Sequence, residues 1–141
     1  MLYLLFSLDR DRYLLDVRQV AEVLPLIGIM PIPQAPPPIA GLFNYRGTLV
    51  PAIDLAQALL GRPARERLHT RIILAQTNDE GGAPQLLGLI AERVTDTVRR
   101  EETDFSDCVV MDGEGLAHRI EVNQLVPAAV RSRLFHQPTP R

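Results

Sequence analysis

Apolar and polar positions alternate along this chain in short blocks, and the blocks mark out strands more often than helices. Residues 2–8 and 12–16 are two apolar-rich runs divided by the charged Asp9-Arg10-Asp11, the pattern of a strand pair around a turn. Val17, Val20, Ala21 and Leu24 then recur at i, i+3, i+4 and i+7. That spacing predicts a helix over 17–24, capped by Asp16 and ended by Pro25. Residues 27–32 suit a short strand. Five prolines within 31–38 remove backbone donors, so this segment is predicted to be a stiff extended connector. It contains Pro33-x-x-Pro36, nominally a ligand for proline-recognition domains, but a connector accounts for it. Residues 39–43 are expected to form a brief helical turn.

The second half keeps the same rhythm. Residues 71–76 and 85–91 read as a hairpin across a glycine-containing loop, and 92–99, with Val94 and Val98, as a further strand. Residues 107–111 and 116–122 predict another hairpin across Asp112-Gly113-Glu114-Gly115. Asn123 is expected to cap a last helix carrying Leu125, Val126 and Val130. Residues 131–141, with two prolines and no periodicity, are expected to be a flexible tail. Many short strands with a few short helices argue for a mostly β, barrel-type domain.

The densest information lies in residues 41–55, GLFNYRGTLVPAIDL. Gly47 supplies the backbone freedom that a tight turn after Arg46 requires. Residues 48–53 form an apolar run in which Pro51 marks an edge position or a bulge. Asp54 is placed to cap a helix over 55–60, with Gly61 as its stop. The pattern exposes an arginine on a rigid turn without a catalytic partner, which points to recognition.

Composition narrows the function. At 141 residues, 46% hydrophobic and 23% charged, the chain fits one domain with a substantial core, expected over 1–130. The net charge is −2, every basic residue apart from histidine is arginine, and the arginines are dispersed. No basic stripe exists to neutralise phosphates, which excludes a nucleic-acid partner. Cys108 is the single cysteine, consistent with a reducing cytoplasm, and reads as a small core hydrophobe. Residues 1–6 look superficially like a signal peptide, but they lack a basic leader and Asp9-Arg10-Asp11-Arg12 follows at once. No apolar run approaches the roughly 20 residues that span a bilayer. The expectation is a cytoplasmic protein with no direct membrane contact.

No chemistry-bearing motif emerges. His69, His118 and His136 are far apart and in no metal-binding spacing, so no metal is expected. Ser106 and Ser132 lack an elbow of glycines, and Cys108 has no recognisable motif around it. Gly81-Gly82 and Gly113-x-Gly115 do not make phosphate cradles, so no cofactor is expected. The acidic clusters 79–80, 101–104 and 112–114 fall in loops.

These residues together resemble the CheW family, the adaptors of bacterial chemosensory arrays. The likeness starts at Leu4-Leu5-Phe6-Ser7-Leu8 and Tyr13-Leu14-Leu15-Asp16-Val17 and continues through Val20-Ala21-Glu22-Val23 and Pro31-Ile32-Pro33. It is strongest from Gly41-Leu42-Phe43-Asn44-Tyr45-Arg46-Gly47 to Pro51-Ala52-Ile53-Asp54-Leu55, similar to the family's G-x-x-N-L-R-G-x-x-x-P-x-x-D-L pattern. Gly88-Leu89-Ile90, Val94 to Val98, and residues 116–125 look like its later strands and closing helix. The resemblance covers about residues 2–130.

It implies two packed, small, five-stranded SH3-like β-barrel lobes with a few short helices, and no catalysis. It also implies a scaffold that couples a chemoreceptor's cytoplasmic tip to the regulatory domain of a CheA-type histidine kinase. Contact with itself or other adaptors in an array, and recruitment to membrane-associated receptors, belong to the same expectation. By that resemblance Val20, Glu22 and Arg46 map onto the receptor-binding groove, Asn44 and Gly47 shape the turn, and Asp54 is a structural cap. Three departures stand out: Tyr45 replaces the usual Leu, Ala91-Glu92 replaces an apolar–Asp pair, and the 98–108 connection is short. Two other readings stay open: a stand-alone module of this fold with one different partner, and a small enzyme with a site at Cys108 or a carboxylate.

Overall fold

The computed structural model describes residues 1–78 and 81–125. The chain folds as two five-stranded sheets that interleave in sequence. The first lobe contains β1 (Leu2–Leu8), β2 (Asp11–Asp16), β8 (Arg93–Arg99), β9 (Val109–Asp112) and β10 (Gly115–Arg119), in the order β8-β1-β2-β10-β9. The second contains β3 (Val20–Pro25), β4 (Ile39–Tyr45), β5 (Thr48–Asp54), β6 (Arg71–Asn78) and β7 (Pro84–Ala91), in the order β3-β6-β7-β5-β4. These are the two SH3-like lobes that the sequence implied. Each contains one parallel contact, β2 with β10 and β5 with β7, and the other pairings are antiparallel.

The central strands of both sheets bury both faces. In β6, Ile72 and Leu74 point into the second lobe with Phe43, Val50 and Ala52, while Ile73 and Ala75 point away from it. In β1 and β2, Tyr3 and Leu14 fill the first lobe, and Leu4, Phe6, Leu8, Tyr13 and Leu15 face outward. The outward sets meet in one large cluster with Leu87, Leu89, Leu55 and Ala56. The period of two along these central strands thus feeds a lobe interior on one side and a core shared by both lobes on the other.

Three local expectations are overturned. Residues 17–24 are not a helix. Asp16 does accept a hydrogen bond from the Arg18 N–H, but it caps only a single 3₁₀ turn, Val17–Gln19, and the chain then enters β3. There Val20, Glu22 and Leu24 are partly covered while Ala21, Val23 and Pro25 are exposed, and β3 pairs along β6. Four matches to a helical repeat gave way to ladder bonds and β-branched packing, a tertiary preference. Residues 39–43 are likewise strand β4, paired with β5. Residues 27–32 form no strand; Met30 alone makes a bridge to Leu42, with hydrogen bonds of 2.7 and 2.9 Å. That bridge explains Gly41, whose φ is 151° and whose Cβ, if present, would lie 2.2 Å from the Met30 carbonyl oxygen.

Of the remaining expectations, several stand and the cap at Asn123 does not. Residues 31–38 are neither helix nor strand, as expected, but the connector is folded by two turns, with the Ala35 N–H donating to the Ile32 carbonyl and the Ile39 N–H to that of Pro36, rather than extended throughout. Pro51 sits opposite Leu42 and one residue before β5 begins pairing with β7 at Ala52, an edge position on that side. Helix α1 (Leu55–Leu60) opens at Asp54 and closes at Gly61, whose φ is 74°. Asn123 does not cap the last helix. It is the second residue of α2 (Val122–Leu125), because the Ile120 N–H is still tied to Leu14 and the turn begins at Glu121. From inside α2, Asn123 accepts a hydrogen bond from the Thr77 hydroxyl of β6. Val126, Val130 and the tail expected over 131–141 lie outside the described residues.

Candidate functional site

The β4–β5 connection is a two-residue hairpin. Tyr45 pairs with Thr48, and between them Arg46 and Gly47 have φ of 51° and 86°. Two successive positive values are the signature of a type I′ turn, the hairpin turn whose twist matches that of its strands. Glycine is at ease there, but Arg46 is not. An L-residue in the left-handed region costs about 1–2 kcal/mol, and such strain concentrates where a side chain must be aimed. Asn44 offsets part of that cost, because its Oδ1 accepts the Gly47 N–H at 2.8 Å and ties the turn from inside.

The turn brings Arg46 beside Glu22 of β3. The Arg46 Nη2 lies 3.7 Å from Glu22 Oε2, and the Arg46 side chain is 76% exposed. The same oxygen accepts a 2.7 Å hydrogen bond from the Tyr45 hydroxyl. The Arg46 guanidinium also sits over the Tyr45 ring, 5.0 Å from its centroid. Donation to Glu22 pushes the Tyr45 phenol above its ordinary range. Three residues therefore form one cluster: a carboxylate, a phenol that fixes it, and a guanidinium that stacks on the phenol. Leu49, across from Asn44, stays exposed beside them.

Val20 is placed differently. It lies on β3 two residues before Glu22, with a shift in register between them, and packs half-buried against the shared core. The structure thus brings Glu22 and Arg46 side by side, 3.7 Å apart, and gives Val20 a partly structural position. Tyr45 as a hydrogen-bonding member of the cluster was missed; the one signal in the sequence was a phenol next to the turn arginine.

Asp54 serves two backbone donors. Its Oδ1 accepts the Gln57 N–H at 3.1 Å, capping α1, and its Oδ2 accepts the Ala64 N–H at 2.8 Å, holding the segment after Gly61. That segment carries Arg62 to Glu92. Both Nη nitrogens of Arg62 donate to the Glu92 carboxylate at 2.8 Å, and the Arg65 N–H donates to it at 2.7 Å. Asp9, in the β1–β2 turn of the first lobe, receives both Arg62 and Arg65 at 2.5 Å. Glu92 is almost fully buried, and the Arg62 hydrogen bonds hold its carboxyl down at about 2. The residue that departs from the family pattern is thus the centre of an ionic network between the lobes.

Further charges are also matched. Arg12 grips Asp112 through two bonds of 2.9 and 2.8 Å, which hold that carboxyl far below the usual range. A shallow cleft of about 260 Å³ beside Tyr3 and Ile120 holds two arginines already engaged, Arg18 with Asp16 and Arg119 with Glu102. Cys108 is exposed and not in the core, because it precedes the β9–β10 hairpin on the surface. Among the described residues no group of three His, Cys, Asp or Glu side chains could hold a metal. No helix among them is long and apolar enough to cross a membrane.

The geometry can be set beside known proteins. The family described as CheW-like domain matches residues 2–121. The Chemotaxis protein CheW of Helicobacter pylori is 26% identical over 100 residues, covering 71% of this chain and 58% of its own length. Those of Treponema pallidum and Thermotoga maritima are each 29% identical, over 70% and 78% of this chain and 58% and 69% of theirs. The chain thus spans less than two thirds of the Helicobacter and Treponema relatives. The crystal structure of the scaffolding protein TtCheW from Thermoanaerobacter tengcongensis superposes with a TM-score of 0.77 at 25% identity, covering 89% of this chain and 87% of that one.

Proposed function

This chain belongs to the CheW-like domain family, and from that premise we propose that it is a non-catalytic scaffold adaptor in chemosensory signal transduction. It couples a chemoreceptor's cytoplasmic tip to the regulatory domain of a CheA-type histidine kinase. The observation that carries this reading is the Glu22–Tyr45–Arg46 cluster on its type I′ turn, within the region that the family match covers. A planar, permanently charged fork on a rigid backbone suits a carboxylate or a row of terminal carbonyls on a helical partner. The exposed Leu49 adds apolar contact for a helix laid against the turn. Val20 supports the site from the core side. The names of the relatives, chemotaxis and scaffolding proteins, support the same assignment. Its place is in the cytoplasm, reaching the membrane through the receptor.

The test is capture of partners from native cells by crosslinking, wild type beside Arg46→Glu, with identification by mass spectrometry. Receptor and kinase should both appear with the wild type, and the receptor alone should be lost in the variant. Receptor without kinase would indicate a stand-alone module with one partner. Absence of both from the wild type would overturn the adaptor reading.

A further inference from the structure

Resting on that reading, the geometry points to Tyr45 as a positioning residue that keeps Glu22 off Arg46, so that the Arg46 guanidinium is left to bind a carboxylate of the partner. Glu22 and Arg46 are close enough to attract each other, yet the contact stops at 3.7 Å, outside hydrogen-bond range. The short bond to Glu22 Oε2 comes from the Tyr45 hydroxyl at 2.7 Å. With the oxygen nearest Arg46 already held by the phenol, the carboxylate must give up that bond to swing onto the guanidinium. The Tyr45 ring meanwhile lies under that guanidinium at 5.0 Å and fixes its plane.

The consequence is a fork that is oriented, with a loose 3.7 Å ion pair to Glu22 but no hydrogen bond to it. Among the described residues the Arg46 side chain donates no hydrogen bond; it is 76% exposed and projects from a turn whose backbone is locked by Asn44. Two other exposed arginines close on a neighbouring carboxylate: Arg18 on Asp16 at 2.7 Å and Arg65 on Asp9. At Arg46 the same closure is blocked by one hydroxyl group. The complementary ligand is a carboxylate that can take two parallel N–H donors, as a glutamate or aspartate on the partner helix does.

The test uses the full chain and a chemoreceptor signalling-tip fragment from the same organism, with affinity measured by calorimetry. Tyr45→Phe keeps the ring and removes the hydroxyl. Glu22 then closes on Arg46, and affinity falls by about three- to tenfold, the worth of one hydrogen bond. The thermal midpoint should hardly change. In a Glu22→Gln background the Tyr45→Phe effect should vanish, because no carboxylate remains to compete. Unchanged affinity in Tyr45→Phe overturns the inference. So does an equal loss in the Glu22→Gln background, which would mean that the phenol touches the partner itself. Should the wild type bind no receptor fragment, the adaptor reading fails, and a crystal structure of Tyr45→Phe still decides this one. Closure of Arg46 on Glu22 to about 2.8 Å supports it, and an unchanged separation overturns it.

Discussion

Arg62 and Glu92 meet as a fork on a carboxylate, Nη1 to Oε2 and Nη2 to Oε1, both at 2.8 Å. Asp9 closes on Arg62 from the other lobe. The pair therefore sits where the chain returns from the second sheet to the first, between β7 and β8. The lobes are joined by apolar packing in their middle and by charge at this end.

Acid should loosen that end. The Glu92 carboxyl lies at about 2 in the folded protein, against 4.5 ordinarily. A lowered carboxylate contributes stability above its unfolded value and loses it as pH falls toward the folded one. The contribution, on the order of 3 kcal/mol, should be complete above pH ~5 and decline toward pH ~2. Glu92→Gln should be less stable at pH 7 by about that amount. Urea unfolding of both proteins across pH 2–7 checks this, and a difference independent of pH would refute it.

Asp54→Ala should cost more than an ordinary cap, because one carboxylate serves Gln57 and Ala64. About 2 kcal/mol is expected, at the upper end for a helix cap. Asp54→Asn should recover part of it, as it retains one acceptor. Chemical denaturation of the two variants supplies the comparison.

Gly41→Ala should be among the most damaging single-methyl changes. The added Cβ meets the Met30 carbonyl oxygen at 2.2 Å, and φ of 151° disfavours any side chain. Destabilisation of about 3 kcal/mol is expected, as for a severely overpacked site. Loss of the Met30–Leu42 bridge should appear as faster amide exchange at both residues.

Unfolding should be a single cooperative transition despite two lobes. Leu15, Phe6 and Leu8 from one lobe share a cluster with Ile73, Leu87 and Leu89 from the other. Leu15→Ala, at a fully buried position, should cost about 2–5 kcal/mol and lower one midpoint seen by every probe. Two separated transitions would show that the lobes fold independently.

The sequence by itself determined the strand pairs β1–β2, β6–β7 and β9–β10, the cap at Asp54, the stop at Gly61 and the turn at Gly47. Each rests on contacts within a few residues, where side-chain type and backbone angle are directly coupled. Tertiary structure decided the rest. Residues 17–24 carry a helical spacing but became strand, because β6 offered a ladder that only the folded sheet supplies. Glu92 stood out in the sequence only as a departure from the family pattern; its pairing with Arg62, thirty positions away, and through it with Asp9 came from the fold. Glu22 and Arg46 were legible as a pair of interest by family likeness. That Tyr45 stands between them depended on bringing β3 beside the β4–β5 turn, and such long-range closure leaves no local pattern to read.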